Sequence, residues 1–383
     1  MYSIEQLLGF MKQNDASDLY ITVDRPPSFK IAGSVKSAGK QNLTIEIIEG
    51  LMKSVTSEDQ RNEFREKREL NFAMEYPDIG RYRFNMYWQK GACAMVIRKI
   101  ETNIKTLDDL GLPEVLKEIS MTKRGLVLVV GATGSGKSTT LAAMIDHRNA
   151  TEAGHIMTIE DPIEFVHEHK RCVVSQREVG TDTPTFKSAL KNALRQAPTV
   201  ILIGEIRDEE TMEHAINFAE TGHLCLATLH SNNANQAMER VINFFPPERH
   251  RQMYLQLSMN LKAVVSQRLM KANQGGRVPA IEILTGSSRA RDLIKKGEID
   301  MLKEAMIAGV NDGMQTFDHA LFNLHQAGKI SLSEALDNAD SATDLKLRIK
   351  IAASKSDVDA ASSGQDAGML AADSDMANAL SLS

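Results

Sequence analysis

The chain has 383 residues, 42% of them apolar and 25% charged, with a formal net charge of −5, which suits a water-exposed protein of more than one domain. No apolar run approaches the roughly 18 residues of a membrane span, and the opening "MYSIEQLLGFMKQNDASD" lacks a basic leader before an apolar block, so a cytoplasmic protein is expected. The last 32 residues hold five aspartates against Lys355 and carry −4, leaving −1 for the rest, a balance that argues against nucleic-acid binding through bulk charge.

The first element is a helical pattern, Ile4, Leu7, Leu8 and Met11, followed by a strand-like "DLYITV" and the turn "DRPPSF". Further on, "GRYRFNMYWQ" and "ACAMVIRKI" alternate as paired strands do, so residues 1–100 read as a small mixed domain. The polar stretch 101–113, "ETNIKTLDDLGLP", reads as a linker. From 114 to 350 a larger domain is expected. Its short apolar runs "LVLVV", "HIMTI", "TVILIG" and "HLCLATL" alternate with helical patterns, which predicts a parallel sheet buried by helices on both faces. After about residue 234 the pattern turns mostly helical. Residues 351–383, rich in Ala, Ser and Asp, bury too little apolar area to offset chain entropy and are expected to be disordered. Cys93, Cys172 and Cys225 are far apart and form no C-x-x-C pair, so buried free thiols are expected.

"LVLVVGATGSGKSTTL" carries the chemistry. Gly131, Gly136, Lys137 and Ser138 fit G-x-x-x-x-G-K-[ST], between a strand and a helical pattern. Backbone amides wrap a phosphate only where side chains do not obstruct, so Gly131, Thr133, Gly134, Ser135 and Gly136 are expected to form the cradle, with a helix N-terminus behind it. Lys137 is expected to reach the β- and γ-phosphates of ATP, and Ser138 to bind Mg²⁺ with Thr139 beside it. "TVILIGEIRD" ends a strand at Gly204 and Glu205, with glycine where many such ATPases have aspartate. Glu205 is left to organise Mg²⁺ or the attacking water. "IMTIEDPIEF" crowds Glu160, Asp161 and Glu164 after another strand, which suits a metal–nucleotide site, and Glu164 is the candidate general base. Which of Glu164 and Glu205 takes that role stays open. His223 and His230 flank the strand in "TGHLCLATLHSNNA" and are candidates to sense the γ-phosphate.

Taken in order, "GATGSGKSTT", "TIEDPIEF", "ILIGEIRD" and "TGHLCLATLHSNNA" resemble the Walker A, Asp box, atypical Walker B and His box of the secretion ATPase superfamily. Together with "ASDLYITVDRPPSFKIAG", "GGRVPAIEIL" and "GMQTFDHAL", they make residues 1 to about 345 similar to the PilT/PilU family of type IV pilus retraction ATPases. The resemblance implies an α/β chain: a PAS-like α+β N-terminal domain followed by a RecA-like P-loop ATPase core. It also implies a homohexamer docked at the inner face of the inner membrane through a pilus platform protein, depolymerising pili in twitching motility. Arg83 and Arg98 match family arginines that approach the phosphates as the two domains close. "RARDLIKKGE" departs from the family's "AIRNLIREGK", which implies an accessory motor working with a PilT-like ATPase. The competing readings are a principal retraction motor, a type II secretion motor, a RecA-like DNA translocase and a nucleotide-gated assembly factor.

Overall fold

The computed structural model of the protein describes residues 2–352 and 354. The disorder expected of 351–383 lies, from residue 355 on, outside the described residues. Residues 351 and 352 continue the helix that begins at 342, and 354 is helical as well, so helix runs past the expected boundary. The chain divides into two compact units, Met1–Thr106 with Ser138–Ile206 and Glu213–Leu226, and Leu107–Lys137 with Arg207–Met212 and the chain from Ala227 on.

The first unit begins with α1 (Ile4–Gln13), β1 (Ala16–Ile21), β2 (Ser28–Ile31), β3 (Ser34–Ser37), α2 (Ile45–Val55), α3 (Glu58–Lys67), β4 (Glu69–Tyr76), β5 (Gly80–Gln89) and β6 (Ala92–Ile100). Ser3–Gln6 and Ser57–Gln60 are capping boxes that start α1 and α3, and Thr44 caps α2. The strands form a six-stranded sheet, β3-β2-β1-β6-β5-β4, with antiparallel pairing throughout. Strict alternation drives it: Tyr82, Phe84 and Met86 of β5 turn inward onto Leu8 and Met11 of α1 and Ile48 of α2, while Arg81, Arg83 and Asn85 turn the other way. Tyr82 is fully buried and donates its hydroxyl to the Leu8 carbonyl at 3.2 Å.

The remaining elements are α4 (Val115–Ser120), β7 (Gly125–Val130), α5 (Lys137–Thr151), β8 (Gly154–Glu160), β9 (Cys172–Glu178), α6 (Phe186–Ala193), β10 (Val200–Ile203), α7 (Glu209–Glu220), β11 (Leu224–Leu229), α8 (Ala234–Asn243), α9 (His250–Asn260), β12 (Leu261–Lys271), β13 (Arg277–Thr285), α10 (Ser288–Lys296), α11 (Leu302–Ala308), α12 (Phe317–Gln326) and α13 (Leu332–Asp337). Their sheet has seven strands in the order β13-β12-β7-β11-β10-β8-β9. β7, β10 and β11 are buried at every position, as strands covered on both faces must be.

Beyond residue 234 the chain is mostly helical, as expected, but it also holds a strand pair that the reading did not foresee. β12 and β13 form an antiparallel hairpin across "ANQGG", and β12 extends the sheet by pairing parallel to β7. The β-branched and apolar residues of "LKAVVSQRLM" and "VPAIEIL" are strand formers that the surrounding helical patterns obscured. α12, α13 and the helix over 342–352 pack on this hairpin through Phe317, Leu321, Ile330, Ala335 and Leu345. In the polar stretch 101–113, Leu107 and Leu112 are buried, and Glu101 bridges to Phe165. All three cysteines are buried and free, and among the described residues no helix is long and apolar enough to cross a membrane.

Candidate active site

β7 delivers the glycine loop at its C-terminal end, and α5 begins at Lys137 directly behind it. Gly134 and Gly136 hold φ of +76° and +88°, a region costly for residues with a Cβ. Space closes the loop further. A Cβ on Gly131 would stand 2.6 Å from the Gln267 carbonyl oxygen, and one on Gly136 would stand 2.7 Å from Gln267 Nε2. Gln267, buried on β12, is thus the floor on which the loop is moulded. Sequence reading missed it; the signal was a polar Ser-Gln-Arg set inside an apolar strand.

Lys137 is 9% exposed, and its Nζ donates to the carbonyls of Gly131 at 2.9 Å and Ala132 at 3.0 Å. The ammonium is therefore folded over the loop, and these two carbonyls are neutral acceptors that an anionic oxygen outcompetes. Ser135 Oγ is buried with no hydrogen-bond partner among the described residues, an orphaned donor in the loop. Ser138 and Thr139 are half-buried on the first turn of α5, while Thr133 and Gly134 are exposed. Closed glycines, a poised lysine and an unpaired hydroxyl at a helix N-terminus fit a phosphate chain.

In the first unit the acids gather at the ends of β8 and β10. These strands pair in parallel with Ile159 opposite Ile203, so Glu160 and Gly204 leave the sheet side by side. Gly204 donates its N–H to the Ile159 carbonyl at 2.8 Å. A Cβ at 204 would stand 3.1 Å from Glu160 Cα, a physical reason for glycine where aspartate is common. Glu205 follows at once. Burial pushes the Glu160 carboxyl up to about 7, and the nearby Glu164 charge adds to it against the Gln176 amide and the Glu164 backbone N–H. Glu164 itself is exposed. Its loop is pinned on both sides: Ile163 N–H donates to Glu178 at 3.1 Å, and the Phe165 carbonyl accepts from Gln176 Nε2 at 2.8 Å.

His230 leaves the C-terminal end of β11 in the second unit, where a cavity of about 470 Å³ is lined by Ala132, His230, Ser231, Asn232 and Gln236. His223 precedes β11, and its Nδ1 lies 3.1 Å from Thr221 Oγ1 and 3.2 Å from the Phe218 carbonyl. The two histidines stand at opposite ends of one strand, about 20 Å of extended chain apart. They do not form one constellation.

Arg83 and Arg98 are brought together on the N-terminal sheet, directly opposite each other on β5 and β6. Facing like charges destabilise a strand pair unless relieved. Asp18 on β1 is 2% exposed and accepts from Arg98 Nε at 2.8 Å, with Lys30 at 3.9 Å on its other side. Asp18 was not singled out from sequence, because its partner is 80 residues away.

Comparison with known proteins places these observations. Residues 28–306 match the family described as type II/IV secretion system protein. The chain is 54% identical to the type IV pilus ATPase PilU of Pseudomonas aeruginosa over 94% of each chain. It is 43% identical to the same organism's type IV pilus retraction ATPase PilT, over 88% of this chain and 98% of that one. A crystal structure of the pilus retraction motor PilT with bound ADP superposes with a TM-score of 0.85 at 39% identity, covering 90% of this chain and 99% of that one.

Proposed function

We infer the protein's work from one premise: the chain belongs to the type II/IV secretion system family and, within it, to the PilT/PilU retraction ATPases. It is a nucleotide-binding ATPase of type IV pilus retraction in twitching motility. The observation that carries the reading is the loop moulded on Gln267, with Lys137 poised over it.

In this reading the amides of Thr133 to Ser138 grip the phosphates of ATP, Lys137 Nζ moves from the loop carbonyls to the β- and γ-oxygens, and Ser135 Oγ gains an acceptor. Mg²⁺, held by Ser138 and Glu205, would neutralise charge building on the phosphates. Among the described residues no cluster of three or more His, Cys, Asp or Glu forms a metal cage, which suits an ion that keeps phosphate and water as its other ligands. Glu160, pushed to about 7, is neutral for part of the physiological range, which lowers its repulsion with the neighbouring Glu164. Glu164 orients and deprotonates the attacking water. His230 faces the cavity beside Ala132 and senses the γ-phosphate, whereas His223 serves at the far end of β11. Arg83 and Arg98 form a cationic row that reaches phosphate when the N-terminal sheet closes on a nucleotide.

The working assembly is a homohexameric ring in the cytoplasm, docked on an inner-membrane platform protein, and it assists a PilT-like motor. Support for the accessory role comes from "RARDLIKKGE", where only part of the retraction segment persists, and from the likeness to PilU. Measuring pilus retraction under load, with and without active PilT, tests it. Retraction that requires PilT and weakens with Lys137→Ala in this chain is expected; full retraction without PilT would make it a principal motor.

A further inference from the structure

Glu164 sits in a segment with almost no regular structure of its own. Residues 163–169 belong to no helix or strand, and the isolated bridge between Glu101 and Phe165 is their share of sheet pairing. Backbone groups outside a ladder need other partners where they are buried, as Ile163 and His167 are. Side chains of β9 supply them. Cys172, Val174, Gln176 and Glu178 alternate onto one face of that strand, and the face changes from apolar to polar at Gln176.

Each of the two polar side chains grips backbone beside Glu164. Glu178 Oε2 accepts the Ile163 N–H at 3.1 Å, one residue before Glu164. Gln176 holds the other side twice: its Nε2 donates to the Phe165 carbonyl at 2.8 Å, and its Oε1 accepts the His167 N–H at 2.7 Å. A side-chain amide that donates and accepts in this way does for the segment what a neighbouring strand's backbone would do. The same Nε2 lies 3.4 Å from Glu160 Oε1, which ties the end of β8 to the same amide. Glu178 is 4% exposed and is itself fixed, its Oε1 accepting from Thr181 Oγ1 at 3.3 Å and its N–H donating to Asp182 at 2.8 Å. Val166 is held from a third side, its N–H donating to the Glu101 carbonyl at 3.3 Å.

We propose that Gln176 and Glu178 are the positioning residues of Glu164, so that β9, and not the loop itself, sets where the base meets the attacking water. The proposal rests on the reading of Glu164 as general base. Its carboxylate is exposed while the backbone on both sides is clamped. Misplacing a reacting group by about 1 Å lowers a rate on the order of 10²-fold, so loosening either clamp acts on turnover in a folded chain. The side-chain bonds of Gln176 and Glu178 run to residues 160–167 and 181, not to the phosphate loop, so nucleotide affinity is spared.

Steady-state turnover beside ATP binding, on the full chain, tests this. Gln176→Met keeps the length of the side chain and removes its bonds; kcat is expected to fall about ten- to hundredfold with ATP affinity unchanged. Glu178→Ala should behave alike, and Glu178→Gln, whose amide oxygen still accepts the Ile163 N–H, should recover most of the rate. Hydrogen exchange in Gln176→Met should quicken in the peptide over 163–168 and not in that over 126–138. In a Glu164→Gln background, adding Gln176→Met should lower turnover by less than about twofold, because both act through one carboxylate. Retained ATP binding shows that a variant is folded, and Gln176→Met, at a half-buried site, decides the matter if Glu178→Ala does not fold. Wild-type kcat in Gln176→Met, affinity lost as much as turnover, or an undiminished loss in the Glu164→Gln background would each overturn the proposal alone. Full turnover in Glu164→Gln by itself would overturn the base assignment and the proposal with it, so this variant tells the two failures apart.

Discussion

Glu282, buried on β13, accepts the backbone N–H of Ala234 at 2.8 Å and the hydroxyl of Ser266 at 3.0 Å. Ala234 opens α8, four residues after His230, so a carboxylate 48 residues away fixes where that segment leaves the sheet. Arg268 on β12 completes the clamp, donating to Asn338 and Asp340 while stacking 3.8 Å over Phe317. Glu282→Ala would strand a buried N–H and is expected to cost about 1–3 kcal/mol, read from urea unfolding. Turnover should fall further than nucleotide affinity, since His230 and not the phosphate loop is displaced.

Protonation of the same residue makes stability depend on pH. Burial pushes Glu282 up to about 7 from 4.5, aided by Asp340 and opposed by Ala234, Ser266 and Arg268. A carboxyl whose folded pKa is raised contributes stability that is fully present below its unfolded value and lost as pH rises through its folded one. The window is therefore about pH 4.5 to 7, and the scale is about 3 kcal/mol. Glu160 has the same sign, while His167, lowered to about 4 by burial, has the opposite one. Glu282→Gln keeps the packing and removes only its own share. The difference between wild type and variant in urea midpoint should narrow or reverse between pH 5 and pH 8; parallel curves would refute the shift.

Lys137→Ala removes the only side-chain cation in the phosphate loop, and a fall of about 10²–10³ in turnover is expected, with weakened ATP binding. Glu205→Ala should keep ATP bound but stop hydrolysis. Filter binding beside a phosphate-release assay separates the two, and unchanged turnover in both would defeat the site assignment.

Gly204→Ala places a Cβ 3.1 Å from Glu160 Cα and 3.2 Å from the Ile159 carbonyl, so the ends of β8 and β10 must part by a few tenths of an ångström. The fold should survive at a cost of about 1 kcal/mol. Turnover should drop about tenfold, because Glu205 moves with its strand end.

Arg98→Ala leaves the buried Asp18 with the Ser17 hydroxyl at 2.8 Å and Lys30 at 3.9 Å, and removes its strongest ionic partner. A loss of about 1–3 kcal/mol is expected. Among the described residues Arg83 has no such buried partner to strand, so Arg83→Ala should lower turnover while thermal unfolding stays put. Comparing the two variants separates the stability that Arg98 lends to Asp18 from the turnover that both arginines are expected to support.

The local signals were legible because each is complete within about ten residues. Glycines at 131, 134 and 136 before Lys137 need no distant partner to be recognised, nor do the carboxylates that close β8 and β10. The β12–β13 hairpin was less legible. Its residues suit a strand, but strand status depends on pairing with β7, more than 130 residues earlier in the chain. Periodicity cannot report a neighbour that only the sheet supplies.

By itself, the sequence determined that a strand, a glycine loop and a helix would follow one another from Leu126 on, and that acids would stand at neighbouring strand ends. Backbone sterics and spacing dictate both. Only the tertiary structure decided that Gln267 stands against the glycine loop, that Glu282 anchors the turn after His230, and that Arg98 is tied to Asp18. It also set His223 and His230 at opposite ends of one strand. Each of these depends on contacts between residues far apart in sequence, and burial turns such contacts into shifted pKa values and fixed positions.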